Sequence, residues 1–311
     1  MEEQENVVFA ARDFDPIPAE ARQVDKVARK STSYLRDVWR TFCKRRTALV
    51  SLIVMAVILL LVAFGPALRP FDPISNDYTA VNQAPNAVHW FGTDQLGRDL
   101  WARVWIGGRV SLVIALLATV IPYVIGMAVG GVSGYFGGKL DQFIMRTIDV
   151  LMGIPELIYM ILLMVILGSG GIWTLVLAMS ITGWMSAARS TRGLVLQMRH
   201  RDFITASETL GASPARLIVR HLLPNTLGIL VVGMAMMVPN VIFYEAFLSF
   251  IGLGVTPPDP SWGQLIKAAA ETFRHYPYQF IIPCVCISVT MLCCNLIGDG
   301  LRDALDPKLR D

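Results

Sequence analysis

Glu156 is the residue of this sequence most suggestive of chemistry, because it is a carboxylate inside an apolar stretch. A charged side chain at membrane depth is costly, so it normally faces a cavity, a pathway or a partner. Glu156 follows Pro155, which can kink a helix, and we expect it to lie near the middle of the membrane. It is therefore a candidate for a polar pathway across a membrane, with a hydrogen bond between helices as the alternative.

Two further carboxylates, Glu245 and Asp149, lie near the ends of apolar stretches. We expect Glu245 to be satisfied by protein groups or by water at a gate, which makes it a second pathway candidate. Asp149 lies three residues after Arg146, a spacing that places both side chains on one face of a helix. The prediction for Asp149 is a structural ion pair with Arg146.

Residues for nucleotide or metal chemistry are missing from the sequence. It contains no Gly-x-x-x-x-Gly-Lys-[Ser/Thr] segment, so we expect no ATP to bind this chain in the P-loop manner. The four histidines are scattered, and four of the five cysteines lie in the last apolar stretch without His or carboxylate partners for a metal. We expect these cysteines to pack as small apolar residues and the chain itself to bind no cofactor.

The segment from Arg199 to Asn225 has the local signals of two short helices. The first is predicted from about Asp202, an acid that suits a helix N-terminus, to Leu210. Gly211 can close it, and Ser213 followed by Pro214 is typical of a new helix start. Pro224 is predicted to mark entry into the next apolar helix. A plain amphipathic connector is the alternative, although about 35 residues is long for a loop in a helical bundle.

The elements that must position these residues are predicted to be membrane helices. The chain has 311 residues, of which 54% are hydrophobic and only 16% charged, against about 25% charge in an average soluble domain. A span needs about 20 apolar residues. The stretch 157–188 is charge-free for 32 residues and contains Gly168-Ser169-Gly170-Gly171, so it is interpreted as two spans. Six spans are predicted, drawn from stretches 48–68, 110–138, 143–188, 222–244 and 276–298; five, with 173–190 dipping in and out, is the alternative.

Basic residues predict the orientation, because they concentrate on the cytoplasmic side of a membrane. The first 47 residues contain ten Lys or Arg, and the segment 189–224 contains six Arg. The segment 69–108 has three Arg balanced by four Asp. Both termini and segment 189–224 are therefore predicted to be cytoplasmic, in a multi-pass protein of the cell membrane.

The chain is predicted to have three regions. Residues 1–47 are predicted to be a cytoplasmic tail with a short surface helix around Tyr34–Phe42, where apolar residues recur at helical spacing between cations. Residues 48–298 are predicted to form the membrane domain, with extracytoplasmic loops at 69–108 and 250–275. Residues 299–311 are predicted to be a cytoplasmic tail.

Five ordered segments resemble a known family. Thr205-Ala206-Ser207 with Gly211, followed by Leu223-Pro224, is similar to the Glu-Ala-Ala loop of ABC-importer permeases. The other four segments are 91–99, 134–138, 248–263 and 298–307. Together they resemble the C-type permease subunit of dipeptide, oligopeptide and nickel importers over residues 35–311. In this sequence Thr205 stands where the loop usually has Glu, and Glu208, one turn later, could substitute for it. Glu156 stands where family members more often have a small or apolar residue.

The resemblance implies an all-α fold, the type I ABC-importer permease fold with six transmembrane helices. It also implies a half-pore that pairs with a second permease subunit as a heterodimer, two ATP-binding subunits that hold ATP and Mg, and an extracytoplasmic substrate-binding protein. It implies no nucleic-acid partner. The residues that would couple the chain to the ATP-binding subunits are Asp202, Thr205, Ala206, Ser207, Glu208, Gly211 and Pro224.

The cargo implied by the resemblance is a peptide or nickel. No His or Cys cluster is predicted to face the outside, which favours a peptide over nickel. A secondary transporter is a weaker alternative, because the inverted repeats expected of one are not visible in the sequence. A receptor or anchoring protein would not need the loop at 189–224.

Overall fold

The structure, a computed structural model, describes residues 34–168 and 171–305. The regular secondary-structure elements of these residues are helices. The predicted all-α class is confirmed. The tail residues 1–33 and 306–311, and Ser169 and Gly170 of the predicted turn, lie outside the described residues. The helices are α1 (Tyr34–Lys44), α2 (Arg46–Leu68), α3 (Leu100–Phe136), α4 (Gly138–Met152), α5 (Glu156–Leu167), α6 (Ile172–Met198), α7 (Asp202–Thr209), α8 (Pro214–Arg216), α9 (Leu223–Phe250), α10 (Trp262–Ala270) and α11 (Pro277–Leu305).

Among the described residues, four helical stretches are long and apolar enough to cross a membrane: α2, α3, Pro214–Phe250 and α11. Helices α4 and α5 qualify only as a pair bent by 83°, which would make a fifth span. Helix α6 has 27 residues but lower hydropathy, because its buried face consists largely of Ala, Gly, Ser and Thr. A polytopic helical membrane protein is confirmed, whereas the count of six spans stays a prediction.

Several helices extend into segments that hydropathy predicted as loops or tails. Helix α3 begins at Leu100, where the Asp99 carboxylate accepts a hydrogen bond from the Ala102 N–H at 2.9 Å. The buried Arg103 donates to the Pro73 carbonyl at 2.7 Å and its Nε lies 3.5 Å from an Asp94 carboxylate oxygen, so two groups of the loop before the helix contact this cation. Its Nε has no hydrogen-bond partner among the described residues. Helix α6 likewise continues to Met198, and α11 continues to Leu305. Helix α10 lies entirely inside the predicted loop 250–275. Caps end a helix, whereas hydropathy marks only its apolar part.

Pro224 is the second residue of α9, where the sequence predicted entry into the next apolar helix. It lies inside a continuous helical stretch from Pro214 to Phe250, directly after a π-helical turn at Leu217–Leu222. A proline in an α-helix leaves the carbonyl four residues earlier without its bond. The wider π turn changes the bonding register just before Pro224, which lets the helix pass through the proline.

Glycines bring α3 and α6 into the most extensive helix contact of the described residues. Gly126, Gly130 and Gly134 recur every four residues on the face of α3 that meets α6. A Cβ atom at Gly130 would lie 2.2 Å from the carbonyl oxygen of Ala188, which is backbone and cannot move aside alone. Small residues at this spacing let two membrane helices approach closely. Helices α3 and α6 are therefore expected to move as one body.

We expect Gly130→Val to destabilise the protein and Gly193→Val to have a much smaller effect. The valine side chain at position 130 would overlap the α6 backbone, which typically costs about 1–3 kcal/mol. Gly193 is also on a helix of this pair, but a Cβ atom there meets nothing within 4 Å. Thermal unfolding of the two purified variants in detergent tests this contrast. Equal melting temperatures would contradict the packing argument.

Candidate functional site

A cavity of about 480 Å³ lies where the chain breaks between α4 and α5. Its walls come from four main elements: Tyr123 of α3, Tyr159 of α5, Met179 of α6 and Tyr244 of α9 are among the lining residues. Pro155 lies at the break and lines the cavity as well. Irregular backbone at membrane depth is tolerated where it faces protein or a water-filled cavity. The break predicted at Pro155 is confirmed, and it opens onto this cavity.

Glu156, the first residue of α5, lines the cavity and is half-buried. The Thr182 hydroxyl of α6 donates to its carboxylate at 3.3 Å, and the Tyr244 side chain of α9 makes a second hydrogen bond to it. The carboxylate also lies at a helix N-terminus, where the helix dipole favours negative charge. Both predicted environments are thus present, a polar cavity and a hydrogen bond between helices.

Glu245 has a different environment, because it is completely buried and does not line the cavity. The Ser111 and Ser249 hydroxyls donate to its carboxylate at 2.9 and 3.0 Å, and Ser261 makes a further hydrogen bond. The backbone N–H of Trp262 in turn donates to Ser111 Oγ at 3.2 Å. Protein groups therefore satisfy Glu245, and this network joins α3, α9 and the start of α10. The geometry gives the pathway prediction for Glu245 no support.

Asp149 pairs with Arg189 of α6, whereas the sequence spacing predicted a pair with Arg146. The distance from Arg189 Nη2 to Asp149 Oδ1 is 2.6 Å, and both side chains are about half exposed. The spacing along α4 would allow a pair with Arg146, but the packing of α4 beside α6 brings the guanidinium of Arg189 to Asp149 instead.

The segment predicted to couple the chain to other subunits has the predicted local structure. Helix α7 covers Asp202–Thr209, and Gly211 follows with a φ of +83°. Ser213 Oγ accepts a hydrogen bond from the Arg216 N–H at 3.4 Å, and Pro214 is the first residue of α8. The candidate coupling residues Asp202, Thr205, Ala206, Glu208, Gly211 and Pro224 are exposed, and Ser207 is half-buried.

An apolar tip marks this segment. Leu210 is 88% exposed and Phe203 is 40% exposed. Ile204, on the opposite face of α7, is fully buried against Val195 and Leu222. The segment is thus fixed to the helix bundle on one face and presents a large apolar side chain at its end.

Two polar contacts that the sequence did not reveal attach this segment to the bundle. The Tyr135 hydroxyl, near the end of α3, donates to Glu208 of α7 at 2.8 Å. Glu208 therefore has a partner within this chain. Arg199, which follows α6, donates to the carbonyl oxygens of Gly134 and Tyr135, at 3.3 Å each.

A carboxylate–guanidinium pair between α4 and α6 was also missed from the sequence. Both Arg192 Nε and Nη2 donate to the Asp141 carboxylate, which also accepts a hydrogen bond from Ser133 of α3. Asp141 and Arg192 are 51 residues apart. An acid in the first turn of α4, directly after the glycine-rich segment 134–138, was the available sequence signal. Among the described residues, no group of three or more His, Cys, Asp or Glu is arranged to hold a metal ion.

Comparison with known proteins assigns this chain to a family. The family model described as "binding-protein-dependent transport system inner membrane component" matches residues 124–311. The chain belongs to this family. A second model, described as the N-terminal TM domain of oligopeptide transport permease C, matches residues 33–85. The family resemblance found in the sequence is confirmed.

The permease is similar to curated proteins over almost its whole length. It is 42% identical over 297 residues to the oligopeptide transport system permease protein OppC of Bacillus subtilis (strain 168), covering 96% of this chain and 97% of that protein. It is 44% identical over 291 residues to the dipeptide transport system permease protein DppC of the same organism, covering 93% and 90%. The OppC protein of Escherichia coli (strain K12) is 39% identical over 288 residues, covering 92% and 95%.

A solved structure shares the fold of this permease. The chain matches a structure titled as inward-facing conformations of the MetNI methionine ABC transporter with a TM-score of 0.52 and 19% identity. The match covers 65% of this chain and 97% of the other. The predicted ABC-importer permease fold is confirmed by this match together with the family match.

We expect Asp141→Asn to lower the melting temperature of the permease and Asp149→Asn to leave it nearly unchanged. Asp141 is nearly buried and accepts three hydrogen bonds, and weakening such charge-assisted bonds typically costs about 1.5–3 kcal/mol. The Asp149–Arg189 pair is about half exposed, and such pairs contribute about 0–1 kcal/mol. Thermal unfolding in detergent gives both values. A larger loss in Asp149→Asn would contradict this assignment.

Proposed function

We propose that this chain is the C-type permease subunit of an ATP-driven importer of peptides and forms half of the translocation pathway. One observation carries the proposal. The same chain contains a cavity at the break between α4 and α5 and an exposed segment, α7–Gly211–α8, that is joined to the helices forming the cavity walls. The names of the similar proteins, oligopeptide and dipeptide permeases that match nearly the whole chain, support a peptide cargo.

The proposed assembly contains a second permease subunit, two ATP-binding subunits and an extracytoplasmic substrate-binding protein. ATP and Mg would bind to the ATP-binding subunits, so the chain itself would not be an enzyme. The exposed Leu210 and Phe203 support a protein contact at α7. The second permease subunit would complete the pathway on the open side of the cavity.

Helix connectivity supports a route from α7 to the cavity. Helix α6 leads into α7 after only three residues, 199–201, and it also contributes Thr182 and Met179 to the cavity wall. Helix α3, closely packed against α6 through glycines, contributes Tyr123. A displacement of α7 by an ATP-binding subunit would therefore shift two cavity walls together.

The proposed roles of the coupling residues rest on exposure and chain geometry. Thr205 and Ala206 lie on the exposed side of α7, and Gly211 lets the chain reverse between α7 and α8. Glu208 is close enough along α7 to substitute for the acid that Thr205 replaces. Its bond to Tyr135 instead supports a role in holding α7 to α3.

We expect Gly211→Val to abolish peptide uptake while the protein remains in the membrane. A β-branched residue resists a φ of +83°, so the turn that presents Leu210 would change shape. Gly168→Val is the matched control, because Gly168 has a φ of +68° and, like Gly211, would carry a Cβ atom with no neighbouring atom within 4 Å. Uptake of a labelled dipeptide, normalised to protein in the membrane, measures the effect.

The coupling assignment predicts at least a tenfold loss of uptake in Gly211→Val and near-normal uptake in Gly168→Val. Normal uptake in Gly211→Val would overturn the assignment. An equal loss in both variants would show that the effect is a general consequence of strain at a turn.

We also propose that both termini and α7 face the cytoplasm, as the distribution of basic residues favours. Ser75 lies in the segment between α2 and α3, and Ser213 lies between α7 and α8; both are exposed. In intact cells, a membrane-impermeant maleimide should label Ser75→Cys and should label Ser213→Cys only after permeabilisation. The unsubstituted chain corrects for its own five cysteines. Labelling of Ser213→Cys in intact cells would contradict the orientation.

A further inference from the structure

The charge on the cavity wall is entirely of one sign. Glu156 is among the residues that line the cavity, and none of those lining residues is Lys, Arg or His. Among the described residues, no basic side chain forms an ion pair with Glu156. The structure therefore places a carboxylate without a basic partner at a helix break in a membrane protein, where an uncompensated charge is costly.

The partners of Glu156 leave part of its carboxylate available. Thr182 and Tyr244 each supply one hydroxyl, whereas a carboxylate can accept about four hydrogen bonds. Both partners are uncharged, so they orient the carboxylate and leave its charge in place. A cationic group entering the cavity would find free acceptor positions on a carboxylate that has no basic partner.

Methionines dominate the apolar part of the same wall. Six of the fourteen methionines of the chain line this one cavity. They are Met152, Met160, Met179, Met185, Met236 and Met237. Methionine is unbranched and polarisable, so it adapts to apolar groups of different shapes, and methionine-rich surfaces are typical of proteins that bind many partners. A volume of about 480 Å³ lies within the range of small-ligand sites, about 300–1,000 Å³.

We propose that this cavity is a cargo subsite in which Glu156 binds an ammonium or guanidinium group of the peptide and the methionines accept side chains of varied shape. This inference rests on the proposed function, since it names how the permease itself treats a peptide. Selection within the membrane would then depend on charge and only weakly on side-chain shape. Peptides with an added cation should pass more readily than peptides with an added anion.

The test compares two peptides that differ in one charged residue, a lysine-containing and a glutamate-containing tripeptide. Each is taken up by the complete transport complex in proteoliposomes, and uptake is normalised to complex abundance. The selection made by the binding protein is the same for every permease variant. A change in the lysine-to-glutamate uptake ratio therefore reports on the permease.

Glu156→Gln keeps the shape of the side chain and one acceptor oxygen but removes its charge. We expect it to lower the lysine-to-glutamate ratio about fivefold, the equivalent of one modest ion pair. Asp149→Asn is the matched control, because it removes a carboxylate that does not line the cavity, and its ratio should equal that of the unsubstituted complex. An unchanged ratio in Glu156→Gln would overturn the proposal.

Asn240→Asp provides a test that does not depend on the stability of Glu156→Gln. Asn240 lines the cavity and is exposed to it, and aspartate has nearly the same shape. The added carboxylate should raise the lysine-to-glutamate ratio, in the opposite direction to Glu156→Gln. A ratio that stays constant in Asn240→Asp would show that the cavity does not contact cargo.

The outcome also separates this inference from the proposed function. If the unsubstituted complex takes up both peptides but the ratio never responds to cavity charge, the cargo subsite is wrong and the importer assignment stands. If the unsubstituted complex takes up neither peptide, the proposed function itself fails.

Discussion

The close approach of α3 and α6 is the contact on which the rest of this permease depends. Gly126, Gly130 and Gly134 allow the two backbones to meet, and the carbonyl of Ala188 occupies the space that a side chain at position 130 would need. Packing of this kind is stiff, because neither backbone can yield without the other. One end of the pair carries the link to α7, and its middle forms walls of the cavity. The same contact thus connects the two parts of the site.

Polar contacts extend this body at the end that bears α7. Tyr135 bonds α7 to α3 through Glu208, and the Asp141–Arg192 pair bonds α4 to α6. On the other side of the helix break, Glu156 bonds to α6 and α9 through hydroxyls. The three carboxylates of the apolar stretches therefore have three different environments: serine hydroxyls surround Glu245, a guanidinium pairs with Asp149, and two hydroxyls and an open cavity lie beside Glu156.

The sequence predicted those parts of the fold that depend on neighbouring residues. The bounds of α7, the positive φ of Gly211 and the cap at Ser213 were predictable, because each follows from a few adjacent residues. The break at Pro155 was predictable for the same reason. The partners of Asp141 and Asp149 were not, because they are set by the packing of α4 beside α6, some 40 to 51 residues away along the chain. The interior position of Glu245 depends in the same way on Ser111, 134 residues earlier.

Under the proposed function, in which ATP-binding subunits act on α7, α3 and α6 are expected to move as one body. Pairs of spin labels on exposed positions of the complete complex measure this directly: Val124 on α3 with Leu177 on α6, and Leu177 with Val285 on α11. The distance from 124 to 177 is predicted to be the same in the nucleotide-free and the ATP-trapped complex, while the distance from 177 to 285 changes. A change between 124 and 177 as large as that between 177 and 285 would contradict the claim.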